Sequence, residues 1–183
     1  MNKKKIEKYI SLLLKYKTSI NIIGTQDKNV LTHIIQDSII EIEKNTNVLD
    51  IGCGAGIPGV PIKIYNPSIN IYFMDKSRKK INILKYILLN LDIDYKKCLI
   101  GHSDSFINDY KNFFDTIISR GMGNINYTLT KIIPFIKRNR GSIYLWKPSN
   151  FKISSINKKK YNIKNISSIN KQNCKIVRIS FFS

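Results

Sequence analysis

Four glycines follow a short apolar run and form the stretch of the chain best suited to bind a small molecule. Residues 48–51 favour a buried β-strand, and residues 61–64 resume an apolar pattern typical of a helix. Glycine has no side chain to keep the backbone away from a ligand. A turn between a strand and a helix lies at the carboxyl end of the strand, where nucleotide-like ligands bind in open α/β sheets. The glycines are Gly52, Gly54, Gly56 and Gly59.

Two classes of cofactor fit this turn. Gly54, Gly56 and Gly59 match the dinucleotide string G-x-G-x-x-G, which leaves an NAD-dependent oxidoreductase open. In that fingerprint the first glycine follows the strand directly, whereas here Asp50 and Gly52 occupy that place. The sequence pattern Asp50-x-Gly52-x-Gly54-x-Gly56 resembles the first motif of S-adenosylmethionine-dependent methyltransferases. We therefore expect S-adenosylmethionine, held by Asp50, Gly52 and Gly54.

Further candidate side chains stand where other predicted strands end. Asp75 closes the second strand, where a carboxylate can accept hydrogen bonds from two ribose hydroxyls, and it also suits a helix cap. Ser103 and Asp104 follow the third strand, either at an adenine edge or as a helix cap. Arg120 ends the fourth strand, where a guanidinium needs an anion. A methionine carboxylate or an RNA phosphate would supply it.

Composition restricts the class of protein. A chain of 183 residues is long enough for one domain with a full core. Its three cysteines are too far apart for a metal or redox motif and favour a reduced, cytoplasmic protein, and neither a signal peptide nor a membrane span is visible. The formal charge is +19, and residues 116–183 carry 14 lysines and arginines but no acid. This distribution predicts a surface that meets RNA, with a solvated basic face as the alternative.

Hydrophobic periodicity predicts an α/β fold, with helices flanking a mostly parallel, Rossmann-like sheet. We expect one domain over residues 1–183, in which residues 1–45 form a helical extension over the sheet, as a lid or a packing layer, and residues 46–183 form the core. Predicted helices cover 3–16, 28–42 (capped by Asp27), 57–65, 77–91 and 125–137, and predicted strands cover 48–51, 69–74, 97–100, 114–120 and 141–146. Residues 149–160 are predicted to be irregular, and 161–169 and 174–182 to form an antiparallel hairpin.

Together these motifs resemble the glucose-inhibited division protein B family, bacterial methyltransferases that act on guanine N7 of small-subunit (16S) ribosomal RNA. The resemblance runs from about residue 21 to residue 178. It is carried by Asp50 to Gly59 followed by Pro61, by Asp75-x-x-x-Lys79-Lys80-x-x-x-Leu84, by Phe114-Asp115 and by Ser119-Arg120. It departs from the family where Lys147-Pro148 replaces lysine-glycine and His102 replaces an arginine.

The resemblance implies which residues bind each ligand. Cofactor positions fall on Gly52, Ile57, Ser103, Asp104 and Arg120. RNA-facing basic positions fall on Lys79, Lys80 and Lys147, with Lys175 in the place of a late arginine and Arg120 close to the guanine.

The resemblance also implies a mechanism and a partner. Guanine N7 has a free lone pair, so methyl transfer needs alignment and exclusion of water, and we predict no catalytic acid or base. Tyr127 or Trp146 could stack on a splayed-out guanine, although a strand tryptophan is more often core. The expected partner is ribosomal RNA or the small subunit, bound by a monomer. An RNA-binding relic without activity is the alternative.

Overall fold

A single mixed sheet forms the centre of the computed structural model, which describes residues 3–16 and 27–181. Its seven strands lie in the order β3-β2-β1-β4-β5-β7-β6. Strands β1 to β5 are parallel, and β7 lies antiparallel between β5 and β6. This confirms the α/β class and the terminal hairpin. The strands are β1 Asn47–Ile51, β2 Asn70–Asp75, β3 Cys98–Ile100, β4 Thr116–Arg120, β5 Ser142–Lys147, β6 Asn165–Asn170 and β7 Lys175–Ser180.

Helices cover both faces of the sheet, each over its own buried apolar cluster. The first cluster packs under α1 to α4 and the second under α5 to α7. None of the described helices is long and apolar enough to cross a membrane. The helices are α1 Lys3–Tyr16, α2 Lys28–Ser38, α3 Gly59–Tyr65, α4 Arg78–Asn90, α5 Ile107–Tyr110, α6 Ile125–Ile132 and α7 Lys158–Tyr161.

The N-terminal helix is a packing layer. Ile6, Tyr9, Ile10 and Leu13 of α1 recur at helical spacing and are buried in the first cluster, as the sequence predicts. Asp27 caps α2 by accepting a hydrogen bond from the Asn29 N–H at 2.7 Å. The sequence also predicts a break between these two helices at residues 19–24, which lie outside the described residues.

Several element boundaries differ from the prediction, among them that of β6, which begins at Asn165 rather than at residue 161. Helix α2 ends at Ser38 rather than at residue 42, because Ile40 and Ile42 are buried from an extended segment whose intervening Glu41 faces solvent. Helix α6 ends at Ile132 rather than at residue 137 and tightens into a 3₁₀ turn, since Pro134 has no N–H to continue it. The segment predicted to be irregular contains a 3₁₀ turn, Ile153–Ser155, and the start of α7.

Candidate active site

The glycine loop folds over the carboxyl ends of β1 and β2. The N–H groups of Gly52 and Cys53 both donate to the Met74 carbonyl, at 2.8 and 3.1 Å. Gly52, Gly54 and Gly56 have φ values of +68°, +53° and +88°. An L side chain is costly in this left-handed region, so the path of the loop depends on glycine.

Two of the glycines are also required for packing. A Cβ on Gly56 would lie 2.5 Å from Val60 Cγ2, and one on Gly59 would lie 2.5 Å from the carboxylate oxygen Oδ2 of Asp50. No atom of the described residues lies within 4 Å of a Cβ placed on Gly54. The loop therefore has a packed inner side at Gly56 and Gly59 and open space at Gly54.

Asp50 lies beneath the loop rather than on the cavity wall. Its side chain is fully buried, Oδ2 accepts a hydrogen bond from the Gly59 N–H at 2.9 Å, and Oδ1 has no partner among the described residues. Burial, reinforced by the charge of Asp75 and opposed by the Gly59 hydrogen bond, raises the pKa of Asp50 from 3.8 to about 8. Asp50 thus ties the loop to the start of α3.

Tyr9 of α1 supports the loop from the same inner side. Its buried hydroxyl donates to the Ala55 carbonyl at 2.8 Å. Burial, followed by the charges of Asp50 and Cys53, raises the pKa of Tyr9 well above its ordinary value, so the phenol stays protonated as a donor. The N-terminal helix is therefore a structural part of the site.

Asp75 faces the loop from the end of β2. Its Oδ2 accepts from the Gly54 N–H at 3.0 Å and its Oδ1 from the Ser77 N–H at 2.9 Å. The cap of α4 is instead Ser77, whose hydroxyl accepts from the Lys80 N–H. A carboxylate has about four acceptor sites, so lone pairs remain on the half-buried Asp75 for a ligand.

A cavity of about 390 Å³ lies between the glycine loop, the β2 tip and the turns that follow β3 and β4. Its volume falls within the range of about 300–1,000 Å³ typical of small-molecule sites. It opens at the carboxyl edge of the sheet, next to the point where the strand order reverses between β1 and β4. The lining residues are Ile51, Gly52, Met74, Asp75, Lys76, Lys80, Gly101, His102, Ser103, Gly121, Met122, Tyr127 and Lys131.

Of the pair after β3, one residue reaches the cavity. Ser103 lines it, at the start of a 3₁₀ turn. Asp104 does not line the cavity and forms a 2.6 Å ion pair with Lys131 of α6, which does line it. The hydrogen bond from Lys131 lowers the pKa of the exposed Asp104.

Three other predicted cofactor residues do not line the cavity. Gly54 is connected to the cavity through its N–H, which donates to the lining residue Asp75. Ile57 packs half-buried against the first apolar cluster. Arg120 shares a face of β4 with Ile118 and lies in register with Trp146. Burial lowers the pKa of Arg120, while Cys174 and Asp37 favour its charged form. An anion that favours the charged form of Arg120 is therefore part of the protein itself, Asp37 of α2.

The basic positions expected to meet RNA divide into two pairs. Lys80 lines the cavity and Lys79 is exposed beside it on α4. Lys147 and Lys175 face each other across β5 and β7 and bind backbone carbonyls, those of Gly123 and Phe151, both at 2.9 Å. The second pair is thus held by the protein itself.

The two candidate stacking residues have different environments. Trp146 is only 3% exposed and its indole N–H donates to the Asp37 carbonyl, so its core assignment is confirmed. Tyr127 is 59% exposed and lines the cavity. Only Tyr127 is placed to contact a ligand.

The sequence-based list of cofactor residues lacked Lys76, Met122 and Lys131, all of which line the cavity. Met122 lies in the turn after β4, with Cγ 2.9 Å from the position of a Cβ on Gly52. The sequence feature that could have indicated Met122 is Gly121-Met122-Gly123, a second glycine turn directly after a strand. Its importance depends on β4 being the neighbour of β1, which spacing alone does not reveal.

The family model of rRNA small subunit methyltransferase G matches residues 2–178. The chain belongs to this family. Its relatives include the ribosomal RNA small subunit methyltransferase G of Moorella thermoacetica, 32% identical over 140 residues, and that of Mycoplasma capricolum, 30% identical over 151. These matches cover 72% and 80% of this chain but 58% and 65% of the relatives, so the chain spans about three fifths of their length.

Solved methyltransferase structures share the fold at low sequence identity. A ribosomal protein methylase from Lactobacillus delbrueckii superposes with a TM-score of 0.63 at 15% identity, covering 88% of this chain and 81% of that one. TYW2 of M. jannaschii, determined in complex with AdoMet, has a TM-score of 0.60 at 16% identity and covers 86% and 76%. The fold of this chain is that of the class I methyltransferases.

Proposed function

We propose that this protein is an S-adenosylmethionine-dependent methyltransferase that methylates N7 of a guanine in small-subunit ribosomal RNA. The observation that carries the proposal is the glycine loop, hydrogen-bonded to Asp75 at the rim of one cavity, in a chain that belongs to a methyltransferase family. Of the two cofactors that the glycine turn leaves open, this family favours S-adenosylmethionine over NAD.

The residues around the cavity fit that cofactor. Asp75 retains acceptor sites for ribose hydroxyls, Gly52 presents backbone without a side chain, and Ser103 stands where an adenine edge would lie. When bound, S-adenosylmethionine supplies an electrophilic methyl group. We assign indirect roles to the five predicted cofactor residues that do not line the cavity: Asp50, Gly54, Ile57, Asp104 and Arg120.

Guanine N7, the methyl acceptor, requires the protein mainly to position it against the methyl group. Guanine N7 attacks through a lone pair in the ring plane, so no side chain has to remove a proton, and the protein contributes alignment and exclusion of water. The exposed ring of Tyr127 offers a stacking surface beside the cavity, and Lys80 and Lys131 offer charge for phosphate. The proposed reaction therefore has positioning residues but no catalytic acid or base.

The deciding experiment is calorimetric titration with S-adenosylmethionine and, separately, with NAD. We expect micromolar binding of the former, loss of binding in Asp75→Ala, and retention in Asp104→Asn, because Asp104 does not line the cavity. Methyl transfer to undermodified small-subunit RNA, mapped by cleavage at 7-methylguanine, then identifies the acceptor. Heat with NAD alone would overturn the proposal, and so would RNA binding by a chain that does not bind S-adenosylmethionine, which would indicate the relic.

The domain organisation, partner, cellular location and oligomeric state of the protein are also proposals. We infer that the described residues form one methyltransferase domain, that its partner is ribosomal RNA or the small ribosomal subunit, and that it acts in the cytoplasm as a monomer. Light scattering of the purified protein during size-exclusion chromatography tests the last point, since a dimer would have twice the 21.2 kDa mass of the chain.

A further inference from the structure

We propose that residues 147–164, called here the lysine segment, form a second surface on which the RNA backbone lies, outside the cofactor cavity. The inference rests on the proposed function. It adds the path that the RNA strand follows over the protein once one of its bases has entered the cavity. The segment holds six lysines and no acid: Lys147, Lys152, Lys158, Lys159, Lys160 and Lys164.

The lysine segment is held firmly to the body of the protein. Ile156, Tyr161 and Ile163 are 5%, 7% and 7% exposed and belong to the apolar cluster under α6. Five of its six lysines, all but Lys147, are exposed. Buried anchors that alternate with exposed cations give a preorganised array, in which binding costs less conformational entropy than in a mobile tail.

Hydrogen bonds join this segment to the helix that walls the cavity. The Tyr161 hydroxyl donates to the Asn126 carbonyl of α6 at 2.8 Å and lies 3.3 Å from Thr130 Oγ1. The neighbouring residues Tyr127 and Lys131 line the cavity. Helix α6 is therefore shared between the cavity wall and the anchor of α7.

The segment also begins at the cavity. Lys147 Nζ donates to the Gly123 carbonyl at 2.9 Å, one residue beyond Met122 of the lining. From there the chain runs to α7 on the face of the sheet covered by the second apolar cluster. One strand of RNA could thus keep a base at Tyr127 and lay its phosphates along the lysines.

The charge of the segment is uncompensated within the described part of the chain. The ion pairs there involve Lys131, Lys137 and Arg140 but none of Lys158, Lys159 and Lys160. Consecutive like charges repel each other, and phosphates relieve that repulsion while releasing counterions. A single-stranded polyanion is the partner that this array fits.

The test replaces the three consecutive lysines and compares the result with an equal charge change elsewhere. The variant is Lys158→Gln, Lys159→Gln and Lys160→Gln, and the control is Lys3→Gln, Lys4→Gln and Lys8→Gln on exposed positions of α1, over the opposite face of the sheet. The readout is binding of a labelled single-stranded RNA oligonucleotide by fluorescence anisotropy over a range of salt concentrations. Glutamine keeps helix propensity close to that of lysine, so both variants should fold.

We expect the α7 variant to bind RNA more weakly, with the slope of log K against log salt flatter by about 2, since each single-strand phosphate contact contributes about 0.7. The α1 control should keep the wild-type slope. Equal losses in the two variants, an unchanged slope in the α7 variant, or no RNA binding by the wild type would each overturn the inference.

Calorimetry with S-adenosylmethionine separates this test from that of the proposed function. Both variants should bind the cofactor as the wild type does, because the substituted side chains do not line the cavity. A wild type that binds RNA through α7 but gives no heat with S-adenosylmethionine would overturn the proposed function and leave the RNA surface standing.

Discussion

Asp50 combines full burial with a carboxylate oxygen that has no partner among the described residues. Its neutral form is favoured in the folded protein, where its pKa is raised to about 8, whereas the unfolded chain has the ordinary value of 3.8. Between these two pH values the folded state binds the extra proton, so raising the pH from about 4 to about 8 removes stability. The destabilising effect of burying Asp50 is therefore smallest at the acid side of this window.

Asp50→Asn should remove this dependence, because the amide oxygen can still accept the Gly59 N–H and the group no longer titrates. The free energy of unfolding in urea, measured at intervals from pH 4 to pH 8, is expected to fall with pH in the wild type relative to the variant. A constant difference between the two proteins across that range would contradict the raised pKa.

Tyr9→Phe tests the support given by α1. The substitution keeps the buried ring and deprives the Ala55 carbonyl of its donor, at a cost of about 1–3 kcal/mol in unfolding free energy. Affinity for S-adenosylmethionine should fall as well, because the loop loses an inner contact. Tyr110→Phe is the control, since it removes a tyrosine hydroxyl from the second apolar cluster on the opposite face. Equal cofactor affinity in both variants would contradict a role for Tyr9 in positioning the loop.

At the scale of elements, the glycine loop has an inner and an outer side that substitution can distinguish. Gly56→Ala combines a positive φ with contacts of 2.5 and 2.8 Å to Val60 and Leu84. We expect a loss of roughly 2–4 kcal/mol in stability and loss of cofactor binding. Gly54→Ala meets open space and should cost only about 1 kcal/mol from its backbone conformation. Chemical denaturation of the two variants measures the difference, and equal losses would contradict the two-sided loop.

Sequence predicted the elements better than the directions of their side chains. The strands, the glycine loop and the terminal hairpin follow from local periodicity and from glycine, which act within a few residues. Two placements depend on which element packs on which face of the sheet: that of Asp50 beneath the loop and that of Arg120 on the face that α2 covers. Side chains alternate between the two faces of β4, so Arg120 shares a face with the buried Ile118. This alternation was the local clue to the placement of Arg120.

At the scale of the whole molecule, a single ligand should stabilise the entire fold. The cavity takes its walls from the ends of β1, β2, β3 and β4 and from α6, so ligand binding requires the sheet and α6 to be folded together. At a concentration about 100 times its Kd, S-adenosylmethionine should add about 2.7 kcal/mol to the free energy of unfolding. For a chain of this size that raises Tm by roughly 5–10 °C. Thermal denaturation measures the shift, and an equal shift in Asp75→Ala would contradict the site.

The bond from Tyr9 to Ala55 has a reciprocal consequence. If docking of α1 favours the loop conformation that binds the cofactor, then the bound cofactor must favour docked α1 by the same free energy, because linkage between two equilibria is symmetrical. Amide hydrogens of the helix around Tyr9 would then exchange with deuterium more slowly once the cofactor is present, although none of them touches it. Exchange in α1, a helix that precedes the first strand, would in this way indicate whether the cofactor is bound on the other side of the glycine loop.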